Sequence, residues 1–100
     1  MSELSRDEFA AHEGAKFKIF FDEENPVEAE LVEVSQLRQN QIQESFSLVF
    51  LAPPDAPPIT GVTKLEHEKL GLFELAISPF KQDEKGTKFE AVFNRLLLDR

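Results

Sequence analysis

Residues 61–94 read GVTKLEHEKLGLFELAISPFKQDEKGTKFEAVFN, and their apolar positions recur every second residue. That is the period of a half-buried strand, because successive side chains of extended backbone point to opposite faces. Thr63, Leu65 and His67 share one parity, then Phe73, Leu75 and Ile77, then Phe89, Ala91 and Phe93. Glu68-Lys69-Leu70 forms a short hairpin loop, with Gly71 supplying the positive φ such loops require. Pro79 is expected to end the middle strand, and residues 81–86 read as a second, longer loop. Three patterned strands in succession commit the chain to a sheet.

The rest of the chain agrees with this reading. Ser5-Arg6-Asp7-Glu8 has the spacing of a capping box, Leu4 and Phe9 stand at the two positions of a hydrophobic staple, and Gly14 is a stop signal. These predict a helix over residues 6–13, too short to stand alone and pinned to the sheet by Phe9. Phe17, Ile19 and Phe21 alternate with Lys16 and Lys18, and residues 22–26 form a turn. Val27, Ala29 and Leu31 lie on one parity and Val32 and Val34 on the other, a phase change that predicts a β-bulge near Leu31 and Val32. Residues 37–44, LRQNQIQE, are polar and read as an exposed loop. Phe46, Leu48 and Phe50 form one row of the next strand, with Val49 and Leu51 on the other face. The proline-rich residues 53–58 cannot supply a ladder and make a stiff connector outside the sheet. Residues 95–100 extend the last strand, cap the barrel or fray.

The predicted fold is therefore mainly β in one domain over residues 1–100: a six-stranded, strongly bent antiparallel sheet or small β-barrel with one short N-terminal helix. Without βαβ alternation, consecutive strands should run antiparallel.

Composition narrows the function classes. The formal net charge of −8 disfavours nucleic acid and anionic membrane surfaces as partners. The absence of cysteine excludes disulfides, thiolate metal sites and a cysteine nucleophile, and fits a reducing compartment such as the cytoplasm. The first residues carry neither a basic region nor an apolar core, so no secretory signal is expected there, and no stretch has the length of a membrane-spanning helix. All 10 aromatic residues are Phe, a core filler without the polar atom that sugar platforms and binding hot spots favour.

Chemistry-bearing patterns are sparse. His12 and His67 are the candidates for proton transfer at neutral pH, yet neither belongs to a motif, and no ligand spacing announces a metal. The glycines never cluster into a phosphate loop, and the acidic turns at Asp22 and Asp83 lack the ordered oxygen spacing of a calcium loop. The PxxP spacing in the connector is read as a rigid crossover. No catalytic residue, metal ligand or cofactor is assigned. An enzyme using His67 with Glu66 or Glu68 stands third among the readings, and a perturbed His67 in a cleft would raise it.

If the first row of each strand fills the core, Phe20, Val32, Val34, Val49, Leu51, Ala76 and Val92 remain as a second apolar set. A helix of about two turns covers few of them. Either Phe9, the connector and the C-terminal leucines cover this set, or it meets a partner. Phe20, Val49, Leu51 and Val92 are the candidate contact residues, for a protein partner or a second copy of the chain.

Several runs together resemble a family of small bacterial proteins classed only as a domain of unknown function. They are Leu65-Glu66-His67, Leu70-Gly71, Phe73-Glu74-Leu75, Pro79 and the closing Phe89-Glu90-Ala91-Val92-Phe93-Asn94, with Phe9, Gly14, Phe17, Leu31-Val32-Glu33-Val34 and Phe46-Ser47-Leu48-Val49-Phe50 earlier. The resemblance covers nearly the whole chain, and its most specific part is FEAVFN. It implies no catalytic residues. Through members associated with phage-tail-collar-like genes, it implies an accessory or assembly role in a tail-like particle. The leading expectation is a non-catalytic interaction or assembly module. A barrel holding a small apolar ligand is the alternative, weakened by the many Phe available to fill so small an interior.

Overall fold

The computed structural model describes residues 6–22 and 24–96, with side chains through residue 94. Its elements are α1 (Arg6–Ala10), β1 (Lys16–Phe20), β2 (Val27–Val34), β3 (Arg38–Gln39), β4 (Gln43–Ala52), β5 (Gly61–His67), β6 (Gly71–Asp83) and β7 (Gly86–Leu96). Every ladder is antiparallel. The sheet order is β2-β1-β5-β6-β7-β4-β3, and an additional β2–β4 pairing joins the open ends. Six strands thus close into a barrel, with β3 as a short extra strand on β4. Closure removes the long strand edges that would otherwise pair with other chains.

The inward rows are those the alternation predicts. Phe17 and Ile19, Ala29 and Leu31, Phe46, Leu48 and Phe50, Leu65, Leu75 and Ile77, and Phe89 and Ala91 form one buried cluster. The phase change in β2 is a register shift between Leu31 and Glu33 against β4. With Val32 as the extra residue, Leu31 and Val34 both face the core, Leu31 buried and Val34 packed against it.

Four expectations are corrected. Pro79 does not end its strand. It sits opposite Phe89, and β6 continues to Asp83 through a register shift between Pro79 and Lys81. A bulge tolerates a residue without an N–H, so the ladder resumes beyond it. The loop expected over residues 81–86 shrinks to Glu84 and Lys85, because Asp83 pairs with Gly86 and its Oδ1 accepts from the Lys85 amide at 2.9 Å. The polar residues 37–44 are exposed up to Ile42 but fold as a small hairpin, β3 against Ser45 and Glu44. Asn40 holds its turn by accepting from the amides of Ile42 and Gln43, both at 2.9 Å. The helix ends at Ala10, earlier than expected, since His12 and Glu13 bond back only three residues and so tighten the chain after it. Its Ser5 cap and Leu4 staple lie outside the described residues.

Both ends of the barrel are filled. At one end Phe9 projects from α1, fully buried, among the rings of Phe17, Phe46, Phe73 and Phe93, at centroid distances of 6.4, 6.2, 5.6 and 5.3 Å. At the other end the proline connector crosses the mouth and buries Ala56. The connector is not extended throughout but turns at Pro53–Ala56, where the Ala56 amide donates to the Pro53 carbonyl at 3.1 Å, and the carbonyls of Pro53 and Pro54 also accept from two side chains. The Thr87 hydroxyl donates to the Pro53 carbonyl at 3.0 Å, and Gln82 Nε2 donates to the Pro54 carbonyl at 2.9 Å and to Thr87 Oγ1 at 3.0 Å.

Candidate functional site

Outward residues of the barrel alternate with the core rows. Around β1 they are charged: Lys16 stands opposite Glu30, and Lys18 stands between Glu28 on β2 and Glu66 on β5. Lys64 of β5 faces Glu74 of β6. This lattice of opposite charges reads as a solvated face.

A different pattern occupies β5, β6 and β7. Val62 lies directly opposite Ala76. Ile77 pairs with Ala91, so Ala76 and Val92 come one step further along the two strands, on the outer face. Val62, Ala76 and Val92 therefore stand side by side across three adjacent strands, and Ser47 of β4 continues the row opposite Val92. Val62 is 72% exposed and Val92 52%. Leu72, 59% exposed, lies on the same outer face of β6, opposite Glu66.

The four contact candidates do not form one surface. In the ring β1–β2–β4–β7–β6–β5, β1 and β7 are three strands apart in either direction. Phe20, half-buried opposite Lys64, is thus remote from Val92. Val49 lies between Glu33 and Glu90 on the outer face, yet is only 9% exposed. Leu51 is half-buried, and its side chain lies over Gly86. Val92 alone of the four is well exposed. Val62 and Leu72 were missed by sequence reasoning. Their signal was present in the even parity of the hairpin, the parity that placed Ala76 in the second apolar set.

The histidines meet at the helix-capped end. Their rings lie 4.5 Å apart, and Phe17 packs 4.6 Å from the His67 ring. His67 is buried, and its Nδ1 accepts from the Lys69 amide at 3.0 Å and the Leu70 amide at 3.2 Å. An Asn at the start of a turn bonds the amides two and three residues on in the same way. Burial, with the neighbouring His12 acting in the same direction, holds the His67 pKa below its ordinary value of 6.5.

His67 therefore meets the condition set for a catalytic reading, a perturbed imidazole beside a groove, here lined by Glu28, Glu66, Glu68, Lys16, Lys18 and Lys69. Its hydrogen bonds argue against that use. A neutral imidazole whose Nδ1 accepts two amides carries its proton on Nε2, which leaves no free lone pair for a general base or a metal. Among the described residues no three His, Asp or Glu side chains are placed to hold a metal. The leading carboxylates of both acidic turns serve their own backbone. Asp22 Oδ1 accepts from the Glu24 and Asn25 amides, as Asp83 does from Lys85, and the amides of Glu24 and Lys85 are the foremost influences holding the two carboxyls below their ordinary values.

A closed six-stranded antiparallel barrel, filled by Phe and aliphatic side chains and plugged at both mouths, defines a small β-barrel domain. A family described as a domain of unknown function, DUF6916, matches residues 4–93, and the chain belongs to that family. No curated protein and no solved structure matches the chain. No helix of the described residues is long and apolar enough to cross a membrane.

Proposed function

We propose that this protein is a non-catalytic interaction module whose docking face is the outer surface of β5, β6 and β7. The observation that carries this reading is the row Val62, Ala76 and Val92, exposed apolar side chains side by side on three adjacent strands, with the charged pair Lys64 and Glu74 in the next row and Leu72 beyond it. Exposed apolar groups of this kind are a common basis for protein association. The filled interior weighs against the ligand-binding alternative, and the engaged Nδ1 of His67 weighs against the enzyme. The resemblance to proteins associated with tail-collar-like genes extends the proposal to an accessory role in a tail-like particle. The absence of cysteine fits work in the cytoplasm.

The test begins with the solution mass at several concentrations, by light scattering on a sizing column. A concentration-dependent dimer or ring that Val92→Asp dissociates, with an unchanged unfolding midpoint, supports self-association through this face. A monomer directs the test to capture from the native host, where the same variant should lose the partner that the wild type retains. An association indifferent to both Val92→Asp and Val62→Asp refutes the face. Val49→Asp is a poor probe, because it places a carboxylate at a nearly buried site between two glutamates and should cost at least about 2 kcal/mol in stability.

A further inference from the structure

We propose that His12 and His67 form an acid-sensitive latch that holds α1, and with it Phe9, in the mouth of the barrel. The geometry joins three things at one point. The His67 ring lies against His12, its Nδ1 anchors the β5–β6 turn, and Phe17 beneath it packs both against His67 and against the Phe9 ring. The His12 amide donates to the Phe9 carbonyl at 2.9 Å, so His12 and the aromatic plug move together.

Adding a proton to His67 places an N–H where Nδ1 now accepts. Two amide donors then face a third donor, and both hydrogen bonds are lost. The His12 ring, 4.5 Å away centroid to centroid, opposes the positive charge this adds to His67. The surrounding charges divide. Glu68 favours the His67 cation and Lys69 opposes it. Lys16 and Lys18 of β1 meet Glu28 of β2 and Glu66 of β5 in the same groove, so the acidic groups have basic neighbours of their own. Relief comes by moving His12 away, which draws α1 from the barrel and uncovers the rings of Phe17, Phe46, Phe73 and Phe93.

The sign follows from linkage. His67 has a depressed pKa in the latched state and returns toward 6.5 when released. The latch is therefore at full strength above 6.5 and weakens as pH falls through the latched pKa. Between those two values, each unit of acidification should raise the opening constant about tenfold.

Native-state hydrogen exchange on the full chain, corrected for intrinsic rates, measures this opening from about pH 7.5 to about pH 5. The expected result is faster exchange over residues 6–15 on acidification, while the amides of β4 and β7 stay protected. His67→Asn keeps an acceptor for the two turn amides but cannot titrate, so its opening should no longer depend on pH. His12→Gln removes one of the groups that lower the His67 pKa, so it should keep the His67 response but level it off at a higher pH, and it stands in for the first variant if that fails to fold. A wild-type helix indifferent to pH overturns the latch. So do variants that keep the wild-type profile, or a barrel that opens as a whole with the helix.

Discussion

Phe9→Ala tests whether α1 is a plug or an ornament. The side chain is fully buried and meets four other Phe rings, the nearest at 5.3 Å. Truncating a buried Phe to Ala costs about 3–5 kcal/mol once the cavity is included. The ring contacts, at about 0.5–1.5 kcal/mol per good pair, place this site in the upper part of that range. A small domain has only about 5–15 kcal/mol in total. The helix itself is five residues long and cannot persist without its anchor. Urea unfolding followed by far-UV circular dichroism should therefore show a midpoint lowered by about 2–3 M, if the slope is near 1.5 kcal/mol per molar. If α1 instead detaches while the barrel survives, the loss stops at the cost of detachment, and hydrogen exchange over residues 6–13 becomes fast under native conditions. A midpoint within about 0.5 M of wild type, with those amides still protected, would refute the seating of Phe9 and the plug with it.

The connector-capped end can be tested independently. Thr87→Val keeps the shape of a fully buried side chain but removes one donor to the Pro53 carbonyl, which keeps the Ala56 amide, and one of the acceptors of Gln82, at a cost of about 0.5–1.5 kcal/mol. The thermal unfolding midpoint should fall by about 3–10 °C, and an unchanged midpoint would mean that the connector is not tied there. Gly86→Ala would place a Cβ 2.6 Å from the Ala52 carbonyl oxygen and from Leu51 Cδ1, at a φ of +153°. Strain and overpacking together should cost about 2–5 kcal/mol. Gly71→Ala, at φ +83° with open space around it, carries the strain alone and should cost less in the same denaturation assay. The reverse order would contradict the packing of Leu51 over Gly86.

The pair of end plugs also bears on the functional proposals. A small barrel with open mouths could admit a ligand, but here α1 and the proline connector occupy both. On the outside, Lys and Glu alternate around β1, and on β5 to β7 the apolar row Val62, Ala76 and Val92 is flanked by the pair Lys64 and Glu74. The latch adds a condition under which the helix-capped mouth opens. It stands independently of what binds the outer face, since neither Val62 nor Val92 belongs to the histidine cluster.

Strand existence and facing were legible in the chain because they depend on a two-residue period that each segment carries by itself. Phe17, Ile19, Leu65, Leu75, Ile77, Phe89 and Ala91 all fall inward as their parity requires, and the Leu31–Val32 phase change marks the bulge without reference to any partner strand. Turn ends were less legible. Pro79 reads as a stop locally, but its place at a bulge opposite Phe89 depends on β7.

Ring closure, the meeting of His12 with His67 and the burial of Val49 belong to the tertiary structure. β1 finds β5 and β4 finds both β2 and β7 across long stretches of chain, through backbone hydrogen bonds that carry no residue-specific signal. That closure puts Phe20 and Val92 on opposite sides of one barrel and aligns Val62, Ala76 and Val92 on one face. The sequence by itself determined which way each side chain points from its strand, a matter of local backbone geometry. Which pointing side chains become neighbours depended on strand order, which only the closed barrel supplies.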